Sequence, residues 1–192
     1  DYLGFPFSVS ETFQQRNTSK SIAESLELAK YIHDKCTTAN KEMVVYISMG
    51  FGNPYGNEWN PNIVSDWVGQ LEQIGVKQFS LSDTVGVSTP ETIDQLFRKM
   101  KEHASDSEFG GHFHTKELEW EEKITAAYEA GCRKFDGAIK GYGGCPMAKD
   151  DLVGNMPTER MIDYFSFDYL KLKKAPFEEA FRLAENIFGH YL

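Results

Sequence analysis

Hydrophobic positions along the chain alternate between two spacings, and this succession predicts strands and helices in turn. Short apolar, β-branched runs are typical of buried strands, and apolar residues three or four positions apart are typical of helices that cover a sheet. Five strands are expected, at residues 1–7, 43–49, 78–82, 108–114 and 134–139. The helices between them are expected to begin near residues 21, 61, 89 and 118. This repetition predicts parallel strands joined by crossover helices.

Local signals support these helix starts and extend the pattern to the end of the chain. Ser21 and Glu24 fit a capping box, and Pro61 suits the first turn of a helix. A glycine-rich loop is expected after the fifth strand. A short helix near residues 157–165 and a longer helix over residues 176–188 should follow that loop.

Two α/β architectures fit the pattern: an open sheet, or the C-terminal part, about five of eight units, of a TIM-type barrel. A complete barrel needs about 250 residues, more than the 192 of this chain. Candidate functional residues follow strand ends, which favours the barrel, although open sheets also bind ligands there. We expect one domain over 1–192 with a helical extension from about residue 157. Because Asp1 already belongs to a strand pattern, the fold is expected to begin upstream of it.

Composition narrows the classes of partner. The formal net charge of −9 argues against nucleic acid, because phosphate binding needs clustered Lys and Arg. The chain has no apolar run that could cross a bilayer and no signal-peptide pattern, so no membrane partner is expected. Three cysteines without a regular spacing fit a reducing cytoplasm. Neither a P-loop nor a Gly-x-Ser-x-Gly motif occurs, and no organic cofactor site is predicted.

A candidate metal site is formed by His112 and His114 at the end of the fourth strand. Residues two apart in a strand share a face, and neutral imidazole binds many divalent metals. Asn155, in a Gly-Asn-Met-Pro segment, could add a carboxamide oxygen. The alternatives are surface or core histidines and an asparagine that only shapes a turn. With oxygen donors completing the site, Mg²⁺ or Mn²⁺ is favoured.

Two further residues could take part in catalysis. Cys145 lies in a Gly-Gly-Cys-Pro loop, where flexible glycines would bring its thiol close to a ligand. Asp83 ends the third strand and could pair with a cation or contact substrate. The alternatives are an inert loop cysteine and a carboxylate that caps the turn after its strand.

Three acidic residues are weaker candidates. Glu159 lies in the first turn of a short helix, where the helix dipole alone would favour an acid. Glu11 is read as the end of the opening strand and as a residue behind the metal ligands or in the pocket. Asp136, inside a strand pattern, should face solvent, a partner or the barrel lumen.

Several segments resemble the 3-hydroxy-3-methylglutaryl-CoA lyase family, one of the metal-dependent lyase and synthase barrels. The matching segments are SVSETF at 8–13, VYISMGFGNPY at 45–55, SLSDTVG at 80–86, HFH at 112–114, GGCP at 143–146, and Gly154-Asn155 followed by Thr158-Glu159. The glycine-cysteine loop is the specific part, because related synthases lack it. Two features depart from the family: Thr115-Lys116 replaces the usual Asp or Asn and Thr, and the loop from Cys145 to Asn155 is one residue longer.

The resemblance implies a TIM-type barrel in which this chain starts near the fourth strand. Three strands would lie upstream, with an arginine, an aspartate and a glutamate of the site. His112, His114 and Asn155, with that upstream aspartate, would hold a divalent metal. Cys145 would supply a proton and Asp83 would position substrate or assist proton removal.

The activity that the resemblance implies is metal-dependent cleavage of 3-hydroxy-3-methylglutaryl-CoA to acetoacetate and acetyl-CoA. Glu159 would orient the metal ligands without binding the metal itself. The alternatives are a related acyl-CoA synthase or aldolase of the same superfamily, and a non-catalytic fragment. Because an incomplete barrel exposes strand edges, the chain alone is expected to associate with itself and to lack turnover.

Overall fold

The computed structural model describes residues 1–103, 106–144 and 153–189. Its strands are β1 (Tyr2–Ser8), β2 (Glu42–Ser48), β3 (Gln78–Asp83), β4 (Glu108–Thr115), β5 (Phe135–Asp136) and β6 (Gly154–Asn155). Its helices are α1 (Glu11–Thr18), α2 (Ile22–Thr38), α3 (Pro61–Gln73), α4 (Pro90–His103), α5 (Trp120–Glu129), α6 (Thr158–Phe165) and α7 (Lys174–Phe188).

The first five strands form one sheet in chain order, and each strand pairs in parallel with the next. The predicted succession of parallel strands and crossover helices is therefore confirmed. Among the described residues, β1 pairs only with β2, and β5 pairs only with β4. These residues form an open arc, with all strand carboxyl ends on one side.

The core lies between the sheet and the helices that cover one of its faces. Alternate strand residues such as Phe7, Ile47 and Leu81 are fully buried on that face. The side chains between them line the opposite face, which we call the inner face. The predicted capping box is present, since the Ser21 hydroxyl accepts from the Glu24 amide and the Glu24 carboxylate accepts from the Ser21 amide. In the described residues no helix is both long and apolar enough for a membrane span.

One helix near the start of the chain was not predicted. β1 ends at Ser8, and Ser10 caps α1 by accepting a hydrogen bond from the Phe13 amide. Glu11 therefore lies in the first turn of a helix, and its expected place at the end of the strand is wrong. α1 has a single buried apolar residue, Phe13, so its sequence lacks the apolar stripe that announces the longer helices.

The segment around the fifth strand also differs from the prediction. β5 has two residues rather than the expected six, and β6 arises within the expected glycine-rich loop. β6 runs antiparallel to the end of β4. The backbone amide of Ala138 donates to the Met156 carbonyl, so the chain after β5 pairs with the segment after β6. Because the chain after Asp136 forms these pairs, β5 is short and β6 lies over the carboxyl end of the sheet.

Candidate functional site

The two histidines of the predicted metal site lie on the same face of β4, as their spacing indicated. The ring centroids of His112 and His114 are 5.6 Å apart. Both residues lie near the carboxyl end of the strand, and β4 is flanked there by β3, β5 and β6. The two imidazoles are therefore neighbours at the edge of the sheet where parallel α/β folds place their ligands.

His114 is held by the backbone of the segment that returns across the site. Its side chain is 6% exposed, and its Nδ1 lies 3.3 Å from the Val153 carbonyl oxygen. A carbonyl only accepts, so Nδ1 carries the hydrogen in this contact and Nε2 keeps its lone pair. Burial lowers the pKa of His114, although the hydrogen bond to Val153 works in the opposite direction. The neutral imidazole is the form that binds metal.

Asn155 is brought to His114 by the short strand that the sequence did not reveal. In the β4–β6 pair, His114 and Asn155 are directly opposite each other. The Asn155 Nδ2 donates to the Tyr142 carbonyl oxygen at 2.8 Å, which leaves Oδ1 as the acceptor of the carboxamide. Gly143 has a φ of +89°, and a Cβ there would lie 2.9 Å from the Asn155 Nδ2. A side chain at residue 143 would therefore displace the Asn155 amide.

His112 pairs with a carboxylate on the neighbouring strand. Its Nδ1 lies 3.2 Å from Asp136 Oδ2, and the Ser80 hydroxyl donates to the same oxygen at 3.2 Å. Burial would raise the pKa of Asp136, but hydrogen bonds from His112, Ser80 and Tyr46, together with the charge of His112, hold it below its ordinary value. Of the three orientations left open for Asp136, the structure shows the inner face.

These donors suit a divalent cation. His112 and His114 each use Nδ1 as a donor, and the Asn155 carboxamide uses its Nδ2. The atoms that remain free, the two Nε2 and the Oδ1, are all acceptors. In the described segments no three His, Cys, Asp or Glu side chains form a group that could hold a metal ion. His112, His114 and Asn155 thus provide three donors of two chemical types. Further ligands would have to come from elsewhere.

Asp83 is sealed beneath the site. It is 1% exposed, and its carboxylate accepts from the Val87 and Ser88 amides at 2.8 and 3.1 Å and from the Ser88 hydroxyl at 2.6 Å. Its Oδ2 also lies 3.0 Å from the Lys123 Nζ. These contacts match the alternative in which Asp83 shapes the turn after its strand.

Lys123 was not singled out from the sequence, yet it is 1% exposed. Besides Asp83, its ammonium group donates to the carbonyls of His114 at 3.0 Å and Gly86 at 3.4 Å. The spacing offered a signal, because the apolar residue Ala127 lies four positions later on the same face of α5 and is fully buried. A lysine at that place on the helix has to bury its charge, and buried charges need partners.

The two glutamates of the prediction bind backbone amides. Glu159 lies in the first turn of α6 as expected, and its Oε2 accepts from the Lys140 amide at 2.9 Å. Lys140 has a φ of +57°, so Glu159 holds a left-handed turn just before the glycine-cysteine loop. Glu11 accepts from the Ile22 amide at 2.9 Å and joins α1 to α2. The structure does not bring Glu11 together with the histidines.

Cys145 lies outside the described residues. The described chain ends at Gly144 on one side of this segment and resumes at Val153 on the other, and Gly144 forms a bridge with Gly154. A cavity of about 680 Å³ opens beside this bridge, and Asn155 and Glu159 are among its lining residues. The predicted thiol role of Cys145 remains a prediction.

Comparison with known sequences identifies relatives. Residues 3–171 match the family model described as HMGL-like. The hydroxymethylglutaryl-CoA lyase YngG of Bacillus subtilis is 30% identical over 155 residues, which are 81% of this chain and 52% of that protein. A Pseudomonas aeruginosa protein named 3-hydroxy-3-isohexenylglutaryl-CoA/hydroxy-methylglutaryl-CoA lyase is 33% identical over 156 residues, 81% of this chain and 51% of its own length. The chain spans about half the length of these curated relatives.

Solved structures agree with this result. The B. subtilis HMG-CoA lyase superposes with a TM-score of 0.86 at 26% identity, covering 98% of this chain and 63% of that one. An HMG-CoA lyase of Acinetobacter baumannii, in complex with coenzyme A and 3-methylmalate, gives 0.76 at 25% identity over 90% of this chain and 55% of that one. The predicted fold, part of a TIM-type barrel of parallel βα units, is thereby confirmed. With its matched residues, its sheet and its structural neighbours in agreement, the chain belongs to the HMGL-like family.

Proposed function

We propose that this chain carries part of the active site of a metal-dependent carbon–carbon lyase that cleaves 3-hydroxy-3-methylglutaryl-CoA to acetoacetate and acetyl-CoA. The observation that carries the proposal is the convergence of His112, His114 and Asn155 at the carboxyl end of β4. Their free atoms are all acceptors, as a cation site requires. Family membership supplies the reaction class, since the relatives are named as lyases of this substrate.

In this proposal His112 and His114 would hold a Mg²⁺ or Mn²⁺ ion through Nε2, and Asn155 would hold it through Oδ1. When bound, the cation would stabilise the negative charge that develops on the hydroxyl oxygen of the substrate. The chain's own residues hold the ligand set in place. The Val153 carbonyl, Asp136 and the Tyr142 carbonyl each engage the second polar atom of one ligand.

The carbon–carbon bond breaks when the substrate hydroxyl loses its proton, and the departing acetyl-CoA carbon must then gain one. We propose that the Cys145 thiol donates that proton. The carboxylate of Glu159 holds the turn at Lys140, five residues before Cys145 in the chain. The catalytic role of Asp83 stays a prediction. Its observed partners favour a contribution through the ends of β3 and β4, which it fixes together with Lys123.

The acyl-CoA substrate class is supported by the relatives' names and by the coenzyme A in the A. baumannii complex. We further propose a cytoplasmic protein that assembles with copies of itself and forms a single domain over 1–192, extended by helices from about residue 157. Several relatives are named as cytoplasmic, and one as mitochondrial. The related synthase or aldolase remains the alternative reaction.

Metal binding is the first test and needs no turnover. Calorimetric titration of the 192-residue chain with Mn²⁺ should show binding that His114→Ala weakens at least about tenfold. His103→Ala is the matched control, because His103 is exposed near the end of α4, and binding should be unchanged. Equal affinities in His114→Ala and the unchanged chain would contradict the metal site.

Product analysis is the second test. The full translation product of the gene, supplied with Mg²⁺ or Mn²⁺, should release acetoacetate from 3-hydroxy-3-methylglutaryl-CoA, and Cys145→Ala should be strongly impaired. The 192-residue chain alone should lack turnover. The isohexenyl analogue belongs in the same assay, because the P. aeruginosa relative is named for both substrates. Condensation of acyl-CoA with a keto acid instead of cleavage would favour the synthase alternative.

A further inference from the structure

Asp136 is a carboxylate that none of the predicted roles uses, yet it sits directly beside the metal-site histidine His112. In the β4–β5 pair the two residues are register partners. Their side chains meet at 3.2 Å between Asp136 Oδ2 and His112 Nδ1. The contact is therefore set by the pairing of two strands.

Asp136 is in turn held from two more strands. The Ser80 hydroxyl of β3 donates to its Oδ2 at 3.2 Å. Tyr46 of β2 packs edge-to-face with His112, with ring centroids 5.6 Å apart, and its hydroxyl helps to lower the pKa of Asp136. Tyr46 and Ser80 are themselves register partners. Four side chains from four neighbouring strands thus form a staggered row on the inner face. It consists of two register pairs, Tyr46 with Ser80 and His112 with Asp136, and Ser80 lies opposite Gly110, two residues before His112.

The chemistry of this row determines where the hydrogen of His112 resides. An ionised carboxylate only accepts, so the imidazole Nδ1 must donate to it. A neutral imidazole has one hydrogen, and with Nδ1 carrying it, Nε2 presents a lone pair. In His114 the Val153 carbonyl has the same effect. The two histidines reach the same tautomer by different means, one through backbone and one through a carboxylate.

We propose that Asp136 is the positioning residue of His112: it fixes the ring and its Nδ1–H tautomer so that Nε2 faces the cation. Ser80 holds Asp136 itself, and Tyr46 packs against the His112 ring. The Nδ1–H tautomer of His112 follows from the described contacts alone. The orientation of its Nε2 toward a cation rests on the proposed function.

The tautomer is tested by long-range ¹H–¹⁵N NMR of the histidine rings in the metal-free chain at about pH 8, with His112→Gln identifying the His112 signals. We expect an Nδ1–H ring in the unchanged chain. In Asp136→Asn the carboxamide can donate to Nδ1, so the population should move toward Nε2–H. Ser80→Ala is the matched control, because it removes another hydrogen bond to the same carboxylate oxygen and should leave the tautomer unchanged.

Affinity for Mn²⁺ is the second measurement on the same variants. Asp136→Asn should weaken binding about 10- to 100-fold, the usual cost of losing a residue behind a metal ligand, and Ser80→Ala by a few-fold at most. An Nε2–H ring in the unchanged chain would overturn the proposal even if no variant folds. An unchanged tautomer in folded Asp136→Asn would overturn it as well. An Nδ1–H ring without Mn²⁺ binding in the unchanged chain would support the positioning contact and overturn the proposed metal role.

Discussion

Two carboxylates lie in strands that flank β4, and the protein satisfies them in opposite ways. Asp83, at the end of β3, is sealed from solvent and paired with the equally buried ammonium of Lys123. Asp136, in β5, is 42% exposed at its side chain and is bound by an imidazole and a hydroxyl. The buried carboxylate has a cation of its own, and the partly exposed one has only groups that are neutral or can be neutral.

The two environments suit different roles at the same edge of the sheet. A buried charge without its partner costs several kcal/mol, so the Asp83–Lys123 pair can hold strand ends but has little freedom to exchange protons or ligands. A partly solvated carboxylate loses less when a partner changes. Asp136 can therefore orient the His112 ring and still leave its Nε2 free to bind the proposed cation.

The largest effect is expected from breaking the sealed pair. Lys123→Met should lower the free energy of unfolding by about 3–5 kcal/mol, because it leaves the Asp83 carboxylate buried without its cation. Urea denaturation measures the change. The double variant Asp83→Asn with Lys123→Met should recover part of the loss, since the uncompensated charge is gone. Lys101→Met, on the exposed end of α4, serves as the control. If Lys123→Met lowers the free energy of unfolding by less than about 1 kcal/mol, the inferred difference between the two carboxylates is wrong.

A smaller effect is expected at the second carboxylate. Asp136→Asn should lower the free energy of unfolding by about 0.5–1.5 kcal/mol, the range for one hydrogen-bonded group at a partly exposed place. The same denaturation series measures it, so the two values can be compared directly. A loss as large as that of Lys123→Met would show that the inner-face row contributes to folding as much as the sealed pair does.

The smallest effect is expected at the exposed end of the inner face. The hydrogen bond from Lys134, 2.7 Å from Glu108, holds the pKa of Glu108 below its ordinary value. Because the folded-state pKa is lowered, the pair stabilises the protein above the ordinary glutamate pKa, and this contribution is lost as the pH falls through the lowered value. Lys134→Met should therefore cost under about 1 kcal/mol near pH 7 and less near pH 3. Urea midpoints at both pH values provide the test, and an equal cost at both would contradict it.

The sequence alone predicted the features that depend on the local spacing of residues. Period-two alternation placed His112 and His114 on one face, and the capping box of Ser21 with Glu24 marked the start of α2 correctly. The five parallel strands followed from apolar runs separated by helical stripes, because each pattern extends over enough residues to be distinguished.

The features that the sequence did not predict depend on partners that are distant in the chain. Asp83 and Lys123 are 40 residues apart, and nothing near Asp83 reveals that a lysine neutralises it. β6 has two residues, too few for a periodic pattern, yet it brings Asn155 to His114. For Asp136 the sequence left three orientations open, and only the register of β4 against β5 selects among them.

The row from Tyr46 to Asp136 has one more consequence, for evolution. Its two register pairs, Tyr46 with Ser80 and His112 with Asp136, are each spaced by the separation of neighbouring strands, about 4.8 Å, and not by any loop. Loops at the carboxyl end of the sheet can therefore lengthen, shorten or change composition without moving the imidazole. In the proposed lyase, substrate specificity would then be able to change through the loops while the position of His112 is conserved by the strand pairing.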